Sequence, residues 1–70
     1  MMPLNIAAAD TDLIIKKVGG SPEMRSHLED MGFVAGGTVR VISSVGENLI
    51  VDVKGSRIAI GGDLARRIMV

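Results

Sequence analysis

Glu23, His27 and Asp30 are the residues of this chain best suited by type to hold a metal ion. At i, i+4 and i+7 they share one face of a helix, with Met24 and Met31 nearby, and imidazole with carboxylates suits a divalent first-row metal. The plainer reading is a solvated helix face on which Glu23 also serves the positive end of the helix dipole. A site completed by a second chain is the stronger form of the metal reading. Other chemistries have less to work with. Cysteine is absent, which excludes a thiolate nucleophile, a disulfide, a zinc knuckle and an iron–sulfur cluster. One histidine cannot make a multi-histidine site within the chain. No G-x-S-x-G elbow or Ser–His–Asp context surrounds His27. No G-x-G-x-x-G occurs and no glycine precedes Lys-Ser or Lys-Thr, so the paired glycines read as turns and not as a phosphate cradle. The carboxylates have no spacing that asks for a glycosidase pair. The expectation is a protein that is not an enzyme and carries no cofactor.

The elements that must position these residues are short, because the chain has only 70 residues. That is one domain, 1–70, and chains of this size bury only about 60% of their unfolded surface. Its 47% hydrophobic fraction contains a single aromatic, Phe33, so the core must be aliphatic. Eight basic and eight acidic residues cancel. Nucleic-acid binding draws most of its affinity from an excess of Lys and Arg, and single strands need rings for stacking; the chain has no such excess and almost no rings. No aliphatic run approaches the roughly 20 residues of a membrane span. Met1-Met2-Pro3 lacks the basic start of a signal peptide. A cytoplasmic protein with no membrane insertion is expected, and weak self-association stays open.

Glycine divides the sequence into short, mostly β-branched segments. Leu13 to Val18 reads as a strand. Val39 and Val41, then Leu49, Val51 and Val53, then Ile58 and Ile60, alternate with polar residues in the period-two pattern of half-buried strands. Arg67 to Val70 reads as a closing strand. Gly46-Glu47-Asn48 and Gly55-Ser56 read as hairpin turns. Ser21-Pro22-Glu23 is a helix start and Gly32 the matching stop, with Met24, Leu28 and Met31 on one apolar stripe between them. Asp63 reads as the cap of a single helical turn through Leu64-Ala65. These elements predict a mainly β protein, a small barrel of about five strands with one short helix, about 22–31, capping one end; closure removes exposed sheet edges.

Some apolar residues fall on the other face. With Val39 and Val41 inward, Ile42 points outward beside Arg40. With Leu49, Val51 and Val53 inward, Ile50 points outward with Asp52 and Lys54. Ile14 lies opposite Leu13 and Ile15. Together such residues mark either a partner surface or additional core. Phe33, just past the helix stop, reads first as a lid on the barrel end and second as a docking anchor.

The order of these pieces resembles the FeoA family of bacterial ferrous iron transport. The resemblance rests on Pro3-Leu4, Ile15-x-x-Val18-x-Gly20, and Arg25-x-x-Leu28-x-x-Met31-Gly32-Phe33-x-x-Gly36. It continues through Gly46-x-x-Leu49-x-Val51-x-Val53-x-Gly55, Ile58-Ala59-Ile60 and Ala65-x-x-Ile68-x-Val70. It implies an SH3-like barrel and a non-enzymatic role, with the cytoplasmic G-protein-containing region of the FeoB transporter as partner. The expected contacts are then Arg25 and Glu29 on the helix, Phe33 beside it, and the outward Ile42 and Ile50. A second reading is a metal-responsive sensor, similar to the SH3-like domains of iron-dependent repressors, with Glu23, His27 and Asp30 as ligands. Polyproline recognition needs an aromatic groove that this chain lacks.

Overall fold

The computed structural model describes residues 1–70. Six strands form two antiparallel sheets. β1 (Asp12–Ile14), β3 (Thr38–Val45), β4 (Asn48–Val53) and β5 (Ser56–Ile60) make one sheet in the order β1-β3-β4-β5. β2 (Lys17–Val18) and β6 (Ile68–Met69) make the other. Helix α1 (Pro22–Asp30) joins β2 to β3, and one helical turn, α2 (Gly62–Ala65), joins β5 to β6. A 3-10 turn over Leu4–Ile6 precedes β1 and buries Leu4.

The predicted first strand is divided. The Ile15 N–H bonds the Gly37 carbonyl at 2.8 Å, whereas the next amide, Lys16, bonds the Met69 carbonyl at 2.8 Å. The chain therefore changes partner from the β3 side to the β6 side at the fully buried Ile15. This hand-over ties the two sheets together, and a hydrophobic pattern read along one strand carries no sign of it. At the other end Met2 and Val70 exchange both backbone bonds, at 3.0 and 2.8 Å, so the ends of the chain clasp each other beside β6.

Local chemistry sets α1 as expected. The Ser21 hydroxyl accepts the Met24 amide at 3.2 Å, and Pro22 occupies the first turn, where its missing N–H costs nothing. At the far end Gly32 takes φ +105°. Its N–H bonds the Glu29 carbonyl at 2.9 Å and the Phe33 N–H bonds the Leu28 carbonyl at 3.0 Å. This pair of bonds is the Schellman closure, and its usual apolar contact falls to Leu28 and Phe33, both fully buried.

Thirteen residues make the core, and Phe33 is its one aromatic. In β4 only Leu49, Val51 and Val53 are buried, as the alternation predicts. No polar or charged side chain is buried. The β3–β4 hairpin turns at Gly46-Glu47. The second hairpin turns at Lys54-Gly55, not Gly55-Ser56: Val53 pairs with Ser56, and both turn residues have positive φ, 51° and 78°. That is the primed turn whose twist matches the flanking strands, and Lys54 pays some strain to sit in it. Gly61, not Asp63, is the N-cap of α2, which has no side-chain cap bond.

Candidate interaction surface

The outer face of the larger sheet is built by register. Asp12 pairs with Arg40, Arg40 with Asp52, and Asp52 with Arg57, so four strands contribute a row of alternating charge. Arg40 Nη1 lies 3.6 Å from Asp12 Oδ1 and Arg57 Nε lies 3.5 Å from Asp52 Oδ1. Arg40 also donates to the Asp10 carbonyl at 3.2 Å. Each exposed pair contributes only about 0.2–1 kcal/mol, but a one-residue slip would break the whole row, so it guards the register.

Two residues before Asp52 in β4, on the same face, Ile50 pairs with Ser43 and Ala59. Here β3 carries a bulge: Val41 opposes Val51, Ser43 opposes Ile50, and Ile42 is the residue inserted between them. Ile42 therefore has no partner of its own in the ladder, and it and Ile50 are each half-buried. The sequence expected both to point outward; an unbroken ladder would set Ile42 opposite Ile50, and the bulge puts Ser43 there instead. The more exposed aliphatics of the sheet are Ile14 and Val45, at 53% and 62%.

The other expected contact residues lie on or beside α1. Arg25 and Glu29 are exposed on one helix face, and neither has an ion-pair partner within 4.0 Å. Phe33 has no exposed surface. It cannot touch a partner and belongs to the helix closure, which corrects its reading as a docking anchor.

The metal set is also corrected. Glu23 and His27 line one shallow hollow with Ser21, Met24 and Leu64, and Asp30 is outside it. No group of three His, Asp or Glu residues is placed to hold a metal ion. At 1.5 Å rise per residue, Glu23 and Asp30 stand roughly 10.5 Å apart along the helix axis. Sharing a helical face does not bring two short side chains to one ion.

Two features escaped the sequence reading. A polar hollow of about 270 Å³ is lined by Asn5, Ser44, Glu47, Asn48 and Asp63 among others. A second hollow, about 410 Å³, is lined by Lys17, Arg66, Arg67, Gly19, Gly20 and Met69 with Met1. Lys17 stands opposite Met69 in the β2–β6 register, and the Gly19 N–H bonds the Arg67 carbonyl at 2.7 Å. No local pattern in the sequence marks Lys17 and Arg67 as neighbours, because 49 residues separate them. No helix is long and apolar enough to cross a membrane.

A family model described as the FeoA domain matches residues 2–70. A Methanocaldococcus jannaschii protein named as a candidate Fe(2+) transport protein A is 37% identical over 70 residues, covering all of this chain and 85% of its own. The crystal structure of an iron uptake regulatory protein, FeoA, superposes with TM-score 0.86 at 33% identity, covering 94% of this chain and 89% of that one. FeoA of Stenotrophomonas maltophilia, solved with zinc and described as an SH3 domain protein, gives TM-score 0.84 at 27% identity, over 99% of this chain and 88% of that one.

Proposed function

This chain belongs to the FeoA family, a non-catalytic family of ferrous iron transport, and on that premise we propose that it docks on the cytoplasmic, G-protein-containing region of a FeoB-type transporter. The observation that carries this reading is half-buried Ile50 beside the β3 bulge at Ile42, two residues from the charge row at Asp52. Aliphatic side chains, exposed Ile14 among them, stand on this face beside the charge row, which is the anatomy of a small interface: aliphatic anchors with a polar rim. Arg25 and Glu29, exposed and without ion-pair partners, supply charged contacts from α1. The domain acts by occupying a surface of the transporter, with no reaction of its own.

The test is binding of the full chain to the purified cytoplasmic region, read by biolayer interferometry. Ile50→Asp puts a charge in the centre of the contact, and the expected loss is about tenfold or more, since 1.4 kcal/mol is a factor of ten. Arg25→Glu is expected to slow association and to weaken it less. Full binding by both variants, with unchanged folding, would remove this surface from consideration.

A further inference from the structure

The hollow lined by Lys17, Arg66 and Arg67 is cationic on a protein whose charges cancel. None of the three has a carboxylate within 4.0 Å; the ion pairs of the molecule are Arg40–Asp12 and Arg57–Asp52, both on the outer face of the larger sheet. No acidic side chain lines the hollow. Arg66 also borders the neighbouring hollow of Glu47 and Asp63, yet it pairs with neither. Backbone pairing holds the cationic residues where they are: the β2–β6 register sets Lys17, and the Gly19-to-Arg67 bond sets Arg67.

The floor of the hollow is close-fitting. A Cβ on Gly20 would stand 3.1 Å from Arg67 Cδ and 2.9 Å from Met24 Sδ, so the Arg67 stem lies over bare backbone. The Gly20 N–H makes no backbone hydrogen bond and is a spare donor at this wall. Three cationic residues and the Gly20 backbone thus line a space that Met69 also borders. Two guanidinium forks match carboxylate oxygens in paired hydrogen bonds.

We infer that this hollow is a docking groove for an acidic segment of a partner protein. The inference goes beyond the docking reading above, whose residues Arg25, Glu29, Ile42 and Ile50 do not line it. Carboxylate side chains carry methylenes that cover Met69, which a bare inorganic anion does not. A nucleic acid is disfavoured because the one aromatic ring of the chain is fully buried and nothing is left for a base to stack on. A flat lipid surface does not enter a concavity. Because the cationic heads are exposed, the attraction is screened by salt over about 8 Å at physiological ionic strength, so binding is weak and salt-sensitive.

The experiment titrates the full chain into a fluorescein-labelled peptide rich in Asp, Glu and Leu, with its Asn/Gln counterpart as control, and reads anisotropy. The expected result is saturable binding to the acidic peptide only. Arg66→Glu/Arg67→Glu, and separately Lys17→Glu, weaken it about tenfold or more, while Arg57→Glu, on the outer face of the larger sheet, leaves it unchanged. Circular dichroism shows that the variants are folded. Absence of saturable binding overturns the inference, as does binding indifferent to all three groove reversals. Displacement by inorganic phosphate as effectively as by unlabelled peptide would make this a small-anion site and overturns it too. So does tighter retention of single-stranded RNA or of phosphatidylserine vesicles.

Discussion

Replacing Gly32 by alanine isolates one energetic contribution of the fold. The residue sits at φ +105°, where a side chain is strained whatever the space around it. The space itself is adequate: the added Cβ would meet Lys54 Cδ and Val53 Cγ2 at 3.5 Å, ordinary contact distances. The cost is therefore conformational, about 1–2 kcal/mol for an L-residue forced into left-handed backbone. A chain of 70 residues has a total stability of roughly 3.5–10 kcal/mol at 0.05–0.15 kcal/mol per residue. For domains of this size each kcal/mol moves the melting point by about 4–8 °C. Gly32→Ala is thus expected to lower Tm by roughly 4–16 °C, with an unchanged denaturant m-value because the same surface is buried. Thermal melts followed by far-UV circular dichroism, with urea titrations at 25 °C, measure both. A Tm within about 1 °C of the parent would show that the Schellman closure does not set the exit of α1, and the argument linking Gly32, Leu28 and Phe33 would fail.

Phe33→Ala removes the one ring of the core cluster; large-to-small core changes of this kind cost about 3–5 kcal/mol, comparable with the whole stability, so a largely unfolded chain by circular dichroism is expected. A near-parental Tm for that variant would place Phe33 outside the core. Asp52→Asn breaks the centre of the charge row beside Arg40 and Arg57 and is expected to cost under about 1 kcal/mol at low salt, vanishing in 1 M NaCl, where screening reaches about 3 Å. A loss that persists in high salt would mean that packing, not charge, is at stake there.

The parts of this fold that were legible in the sequence are those decided by neighbouring residues. Ser21, Pro22 and Gly32 mark both ends of α1 by hydrogen-bonding chemistry that reaches only three to five residues. Leu49, Val51 and Val53 mark a half-buried strand by alternation alone. What stayed hidden was decided by partners far along the chain. The partner change at Ile15 depends on where Gly37 and Met69 come to lie. Ile42 looked like a simple outward residue because a bulge is a property of two strands and not of one. Phe33 could be read as lid or anchor until its complete burial settled it. The shared helical face of Glu23, His27 and Asp30 gave direction around the axis but not distance along it. Lys17 and Arg67 stand on either side of 49 intervening residues, and only the β2–β6 register brings them to one hollow.

The clasp between Met2 and Val70 bears on how such a unit can be handled. With both extremities leaving from one spot, a host polypeptide could carry the whole barrel as an insert in a surface loop, its own backbone barely parted. Tethering the extremities with a short bridge and opening the ring at the Gly46-Glu47 tip would give a permuted variant with every ladder retained. Force applied through the extremities would tear the clasp one rung at a time, beginning beside the strand that also walls the cationic hollow.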